Sequence, residues 1–279
     1  MAGLNVNRTD LLWALGKHIP RRGADAFAKL AAPIASLTRL PAVDAWASSV
    51  ARATGSAPTK QMRRQLIEHW FRNNLWSLSL ERWSDAEIRR VVDIPDEHVT
   101  RLRSSLTGPG LVLALPHMGS WDFAGAWCAR VGIQVVSVAE RLPRGLYERF
   151  SSARAGMGMT IYPVDQPRLL QTLADEVRSG KMVCLLADRD LSKHGVQVPW
   201  PGTEESISVP AGPALLARRT GADLRVAATH FDGATLGMTV SPRIAGDDPT
   251  SLMAGAVEHF AKAVNRHPES WLMLRQAFL

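Results

Sequence analysis

The chain has 279 residues, of which 46% are hydrophobic and 21% are charged. This is the composition of a globular protein that buries its own core, and it excludes a largely disordered chain. The formal charge is +7, and residues 1–67 carry ten Lys or Arg against three Asp, a difference that equals the whole excess. A positive charge of this size attracts anionic lipids, nucleic acids and phosphorylated small molecules alike. It does not indicate which of these three is the ligand. Cys128 and Cys184 lie in apolar stretches and are typical of a reduced, intracellular protein without a disulfide framework.

The first third of the chain has a helical pattern from Thr9 to about Trp83. Prolines are expected to break it at Pro20, Pro33, Pro41 and Pro58. Five tryptophans fall in this part: Trp13, Trp46, Trp70, Trp76 and Trp83. They fit a membrane interface or helix-helix packing equally well. The apolar run Leu11–Leu15 is far short of the roughly 20 residues that cross a bilayer, so we expect contact with a membrane surface only.

After Gly108-Pro109-Gly110 short apolar runs alternate with helical stretches, which predicts a largely parallel sheet. The predicted strands are 111–115, 134–138, 160–164 and 182–187, followed by a hairpin of 224–231 and 236–244. The predicted helices are 121–130, 145–156, 167–179, 211–220 and 252–265. We therefore predict one α/β domain over residues 1–279, with a central mostly parallel sheet flanked by helices. Residues 1–83 form a helical, membrane-facing N-terminal extension, and residues 108–279 form the catalytic core.

The loop after the first predicted strand carries His117 and Asp122 in a His-x4-Asp arrangement. Active sites of α/β sheets favour the ends of such strands, where a histidine can act as a base and a carboxylate can orient it. The structural alternative is a histidine satisfied by a backbone carbonyl and an aspartate that complements the helix dipole. The pattern is short enough to occur by chance, so the neighbouring residues must distinguish the catalytic interpretation from the structural one.

Charged residues follow two further predicted strands. Glu140 and Arg141 come after the second strand, and Asp188, Arg189 and Asp190 come after the fourth. Carboxyl ends of parallel strands share one edge of a sheet, and charges gathered there are costly unless they pair or meet a ligand. This convergence favours a functional site that includes His117.

Several ordered blocks resemble the bacterial lauroyl/myristoyl-type acyltransferases, and most closely the actinobacterial phosphatidylinositol mannoside acyltransferases. The blocks are Leu113 to Asp122, Val138 to Leu142, Leu146-Tyr147 with Phe150 and Arg154, Ala187 to Leu191, Gly195 to Val198, and Pro210 to Pro213. The resemblance covers nearly the whole chain after about residue 60. It implies a glycerol-3-phosphate acyltransferase-like fold.

The resemblance also implies roles for individual residues. His117 would be the general base, partnered by a glutamate before the Pro-Ala-Gly-Pro block; counting back five from Pro210 gives Glu205, and Glu204 beside it fits equally. Arg154 would pair with Asp122 and hold the loop.

Other residues would bind the substrates. Backbone N–H groups near Ala211, at a predicted helix start, would stabilise an oxyanion. Glu140, Asp188 and Arg189 join Arg154 as candidate substrate-binding residues. Arg141, Arg144, Arg189 and Lys193 are candidates to meet CoA phosphates or an anionic headgroup.

The expected function is transfer of a long acyl chain, such as palmitoyl, from acyl-CoA to a mannose hydroxyl of a phosphatidylinositol mannoside. We expect no metal and no cofactor, no nucleic-acid partner, and peripheral contact with an anionic membrane at its cytoplasmic face. The alternatives are acylation of a lipid A precursor, another glycolipid or a lysophospholipid, or a non-catalytic basic lipid-binding module. A serine hydrolase is disfavoured because no Gly-x-Ser-x-Gly elbow exists.

Overall fold

A seven-stranded mixed sheet forms the centre of the fold. The computed structural model of the protein describes residues 18–141, 146–190 and 194–279. The strands are β1 (Val92–Asp93), β2 (Leu111–Leu115), β3 (Val135–Ala139), β4 (Met159–Pro163), β5 (Met182–Leu186), β6 (Val196–Pro199), β7 (Ser206–Val209), β8 (Asp223–Asp232) and β9 (Thr235–Val240). The sheet has the order β1-β9-β8-β2-β5-β3-β4, and β6 pairs with β7 in a separate antiparallel hairpin.

Helices flank this sheet and precede it. They are α1 (Arg21–Ala35), α2 (Pro41–Thr54), α3 (Lys60–Ser79), α4 (Asp85–Val91), α5 (Asp96–Thr107), α6 (Trp121–Arg130), α7 (Leu146–Gly156), α8 (Leu169–Arg178), α9 (Gly212–Thr220) and α10 (Pro249–Arg266). Short 3₁₀ turns follow α3 at Leu80–Arg82 and α10 at Pro268–Ser270. The predicted α/β class with a mostly parallel sheet and N-terminal helices is confirmed.

Five neighbouring strands, β8, β2, β5, β3 and β4, run parallel, and only β9 opposes its neighbour β8. The carboxyl ends of the five parallel strands therefore meet at one edge, as the sequence predicted. Successive side chains of β2 face opposite sides of the sheet: Val112 and Ala114 belong to one core, and Leu111 and Leu113 belong to the other.

The N-terminal helices pack onto these two cores. Trp46 of α2 lies in the first core, and Trp76 and Trp83 lie in the second, all nearly inaccessible to solvent. Their indoles therefore serve helix packing, while Trp70 of α3 is 40% exposed; Trp13 lies outside the described residues. None of the helices in the described part of the chain is both long and apolar enough to cross a bilayer.

One local prediction was wrong, and some short elements were not predicted. Pro33 was expected to break the first helix, but α1 continues through it to Ala35. Pro33 lies in the last turn of the helix, where its missing N–H removes only one backbone hydrogen bond. The helix therefore tolerates this proline and ends at Ala35. The helices α4 and α5 and the β6-β7 hairpin were not predicted, because a seven-residue helix, a largely polar helix and two four-residue strands carry little periodicity.

Candidate active site

The loop between β2 and α6 presents His117 at the carboxyl edge of the sheet. Gly119 has φ +58°, and a Cβ there would lie 2.6 Å from the backbone and hydroxyl of Thr229. Thr229 Oγ donates to the Met118 carbonyl at 2.7 Å and accepts from the Ser120 N–H at 3.1 Å. Only glycine meets both the left-handed conformation and this close approach to β8, so the turn is fixed by its sequence.

The ring of His117 bonds to Asp188, which follows β5. Nδ1 of His117 lies 2.5 Å from Asp188 Oδ1, and the backbone N–H of His117 donates to Oδ2 of the same carboxylate at 2.8 Å. The His117 side chain is 25% exposed, whereas that of Asp188 is 1% exposed. The buried carboxylate thus fixes one ring nitrogen of a histidine whose other side opens on a cavity.

The pair shifts the titration of both partners. Burial lowers the pKa of His117, but the charge of Asp188 and its hydrogen bond outweigh this, and the pKa is raised above 6.5. Burial raises the pKa of Asp188, but the His117 charge and the N–H donors around the carboxylate leave it lowered. Asp188 is therefore ionised at neutral pH and favours a proton on the His117 ring.

The structure corrects the expected partner of His117. Glu205 hydrogen-bonds to Arg52 of α2 instead, and this bond lowers the pKa of Glu205. Five extended residues, at about 3.3 Å each, put Glu205 roughly 16 Å along β7 from Pro210, which borders the cavity. Glu204 is exposed. The residue found by counting back from the Pro-Ala-Gly-Pro block therefore lies at the end of β7 that is remote from the cavity.

Asp122 is bound by Arg154, as the resemblance implied. Arg154 Nε donates to Oδ1 at 2.9 Å and Nη2 donates to Oδ2 at 2.5 Å, while Ser77 Oγ of α3 donates to Oδ2 at 3.0 Å. The ion pair joins α6 to α7, and Ser77 ties both to the N-terminal helices. Asp122 therefore organises the wall of the site and does not bond to the His117 ring.

The remaining predicted residues have mixed outcomes. Asp188 was expected to bind substrate, but its carboxylate is buried against His117 and has no open face. Glu140 and Arg189 border the cavity, and both charges act on the pKa of His117. Ala211 precedes α9, and its neighbours Pro210 and Gly212 line the cavity.

The predicted phosphate-binding residues are only partly placed. Arg141 is paired with Asp165, with a closest approach of 3.2 Å. Arg144 and Lys193 lie outside the described residues.

A cavity of about 690 Å³ opens beside His117 and reaches both faces of the sheet. Its buried lobe lies between α6 and the sheet and is bordered by Leu113, Ala124, Gly125, Cys128, Met159, Met182 and Cys184. Its open lobe lies on the other face, near α8 and α9, where Val164 is 50% and Leu215 is 42% exposed. Most of the lining is apolar, and its charged side chains lie at the carboxyl edge of the sheet together with His117. A ligand that fills it has a long apolar part and a polar reactive centre.

Gly125 lets Met159 pack closely against α6 at the wall of the buried lobe. A Cβ at this position would lie 2.6 Å from Sδ of Met159, so a larger residue would displace that side chain. Burial raises the pKa of the Cys128 thiol, which borders the same lobe, to about 12. This thiol is therefore a neutral, apolar wall group and not a nucleophile.

Sequence reasoning missed Trp271, whose indole N–H donates to Asp188 Oδ2 at 2.9 Å. It also missed Thr229 and Ser77. Each of these residues is separated by 45 to 111 positions from its partner at the site. No local pattern signals such contacts.

Comparisons with known proteins find related acyltransferases. The profile of the bacterial lipid A biosynthesis acyltransferase family matches residues 46–279. A phosphatidylinositol mannoside acyltransferase from Mycolicibacterium smegmatis is 31% identical over 97% of this chain and 91% of its own length. Another protein of that name, from Mycobacterium tuberculosis, is 37% identical over 62% of this chain and 55% of its own length. The match covers β2 to β9 and every residue of the site described above, so the chain belongs to the bacterial lipid A biosynthesis acyltransferase family.

Proposed function

We propose that the protein transfers a long acyl chain, such as palmitoyl, from acyl-CoA to a mannose hydroxyl of a phosphatidylinositol mannoside. The observation that carries this proposal is the His117–Asp188 pair at the mouth of an apolar cavity. The names of the two mycobacterial relatives supply the acceptor class. No cofactor enters the reaction, because acyl-CoA is itself the activated donor.

His117 acts as the general base. Asp188 occupies Nδ1, which leaves Nε2 for the proton of the acceptor hydroxyl. As that proton moves to Nε2, the hydroxyl oxygen attacks the thioester carbonyl, and the buried carboxylate stabilises the imidazolium that forms. The tetrahedral intermediate then collapses with loss of the C–S bond, and the CoA sulfur takes the proton back from His117.

The oxyanion of that intermediate needs hydrogen-bond donors. The amino end of α9, beginning at Gly212 beside the cavity, places backbone N–H groups and the positive end of the helix dipole near the reaction. This is the role proposed for the segment that contains Ala211.

The buried lobe receives the acyl chain. Its wall of aliphatic and sulfur-containing side chains removes the chain from water, which is favourable by about 25 cal/mol per Å² of apolar surface. The thioester then lies near His117, and the bulky CoA group remains on the open side. Arg189 at this rim is suited to phosphate, and Glu140 is suited to sugar hydroxyls.

Contact with the membrane is proposed for α1. Its outer face carries an exposed apolar ridge of Phe27, Leu30 and Ile34, which Leu37 continues in the turn after the helix; these side chains are between 49% and 86% exposed. Arg22 and Lys29 are exposed on the same helix, so the ridge suits an anionic lipid surface. Arg21 at the start of α1 donates to Ala234 in the β8-β9 turn, which puts this helix at the same sheet edge as His117. We place the protein at the cytoplasmic leaflet, where acyl-CoA is available.

A lipid A precursor is the second candidate acceptor, because the matching family is named for lipid A biosynthesis. The same base and cavity serve either acceptor. Other glycolipids and lysophospholipids present comparable hydroxyls.

Mass spectrometry of lipid products tests the proposal. Purified protein is incubated with palmitoyl-CoA and phosphatidylinositol mannosides, a lipid A precursor or a lysophospholipid. We expect acylation of the mannoside, and His117→Ala lowers its rate by about 10²- to 10⁴-fold. His259→Ala on α10, away from the cavity lining, is the matched control. If product forms only on another acceptor, that acceptor takes the place of the mannoside in the proposal. Full activity of His117→Ala refutes the role of His117 as the general base.

A further inference from the structure

The segment after α10 lies along the His117 loop and is hydrogen-bonded to its backbone. Met118 and Trp271 form an antiparallel bridge. The Gly119 N–H donates to the Ser270 carbonyl at 2.9 Å, and the Leu272 N–H donates to the His117 carbonyl at 2.7 Å. The backbone of the proposed base is therefore held by a distant part of the chain.

Within this segment Trp271 is fully buried, and its indole reaches past the loop to Asp188. Nε1–H of the indole donates to Asp188 Oδ2 at 2.9 Å. The same oxygen accepts the backbone N–H of His117, and Oδ1 faces the His117 ring. Two N–H groups thus fix one carboxylate oxygen and thereby orient the other.

Such support matters for a carboxylate that is almost completely removed from water. A buried negative charge is stable only when its oxygens accept hydrogen bonds or meet a positive charge. His117 alternates between neutral and charged forms during the proposed reaction, so its charge is not a constant partner. The Trp271 indole and the His117 backbone N–H are donors that do not titrate.

We propose that Trp271 is a positioning residue, whose indole N–H holds the Asp188 carboxylate in the orientation that presents Oδ1 to the His117 ring. Trp271 acts through Asp188 and has no direct contact with the reacting atoms. This proposal depends on the proposed role of His117 as the base.

The rival explanation is packing alone. Trp271 stacks on Trp200 with ring centroids 5.8 Å apart, and Phe278 packs beside both rings. Trp200 offers a matched control, since it is equally buried and its indole N–H donates to the Ala53 carbonyl at 3.0 Å, away from Asp188. Trp200→Phe and Trp271→Phe each remove one indole N–H from the same aromatic cluster.

The test compares both variants by Tm and by the pH dependence of kcat/KM for acyl transfer. We expect similar losses of Tm. Trp271→Phe should lower kcat/KM by about ten- to one-hundred-fold and move its acidic limb to lower pH, because a less well-held carboxylate supports the imidazolium less. Trp200→Phe should leave the limb in place. In the Asp188→Asn background, Trp271→Phe should cause little further loss.

A spectroscopic readout separates this proposal from the proposed reaction. Titration of the His117 ring followed by nuclear magnetic resonance needs no substrate, and its midpoint should fall in Trp271→Phe and stay in Trp200→Phe. An unchanged midpoint overturns the proposal, even if acyl transfer is found. A lowered midpoint without any acyl transfer supports the positioning role and refutes the proposed function.

If Trp271→Phe does not fold, the indole N–H resonance of Trp271 in the unaltered protein takes its place. As the pH is varied, the chemical shift of that resonance should change with the same midpoint as the titration of His117. It should also differ between Asp188→Asn and the unaltered protein. A resonance indifferent to both changes overturns the proposal.

Discussion

Arg154 binds both carboxylate oxygens of Asp122, and this pair separates Asp122 from the histidine five positions before it. The His-x4-Asp spacing therefore does not describe a hydrogen-bonded dyad in this chain. His117 finds its carboxylate 71 residues later, in Asp188 after β5. The two aspartates have different tasks: one orders the wall of the site, and the other sets the properties of the proposed base.

The pH dependence of acyl transfer should follow His117. A base must be neutral to accept a proton, and the pKa of His117 is raised by Asp188. We expect kcat/KM to fall with decreasing pH around a midpoint above 6.5, the usual value for histidine. Asp188→Asn removes the charge that raises the pKa and leaves burial, which lowers it. Its midpoint should therefore move to lower pH while the maximal rate drops. A midpoint that is the same in both proteins contradicts the pairing.

The Asp122–Arg154 pair should contribute to stability more than to proton transfer. Its side chains are only 13% and 11% exposed, so loss of one partner leaves a poorly solvated charge. We expect Asp122→Asn or Arg154→Met to lower the free energy of unfolding by about 3 kcal/mol, measured by urea denaturation. The double variant should lose less than the sum of the two.

Acyl transfer by the stable fraction of Asp122→Asn distinguishes the organising role from a catalytic one. The acidic limb of its kcat/KM profile should keep the midpoint of the unaltered protein. A shifted midpoint indicates that Asp122 takes part in the titration of His117.

Membrane binding should depend on the ridge of α1. Leu30 and Ile34 are 72% and 70% exposed, so aspartate at either position costs little folding energy but places a negative charge against lipid. Leu30→Asp/Ile34→Asp should lower the fraction of protein that sediments with vesicles of phosphatidylinositol and phosphatidylcholine by about tenfold or more.

Thr107→Asp is the control for added charge. Thr107 is exposed at the end of α5, on the opposite edge of the sheet from His117. Vesicle binding equal to that of the unaltered protein is expected for this control. If the ridge variant also binds as well as the unaltered protein, the membrane contacts another surface.

The sequence predicted the architecture and the edge of the sheet that carries the site. β2 and α6 have the predicted bounds, because an apolar five-residue run and an amphipathic helix are local signals. The carboxylate that pairs with His117 was not predictable from such local signals. Asp188 and Glu205 are both carboxylates near strand ends, and only the pairing of β2 with β5 decides that Asp188 meets His117. Trp271 enters through an isolated bridge to Met118, for which the sequence offers no pattern.

Acidification should destabilise the protein through His69 of α3. Burial lowers the pKa of His69 to about 4, so the unfolded chain binds this proton more readily than the folded one. The stabilisation is complete above pH 6.5, the ordinary pKa of histidine, and is lost as the pH falls toward 4. Between pH 7.5 and 5 we expect the free energy of unfolding to fall by about 2 kcal/mol from this residue.

His69→Gln isolates that contribution, because glutamine still offers an N–H to the Glu269 carbonyl, which lies 3.1 Å from His69 Nδ1. Urea denaturation at both pH values should show a smaller pH dependence in the variant. The effect concerns the active site, since Glu269 and Ser270 lie directly before Trp271 and His69 contacts both. A proton on His69 should therefore loosen the segment that fixes the His117 loop. Equal pH dependence in the two proteins would show that His69 titrates alike in the folded and unfolded states.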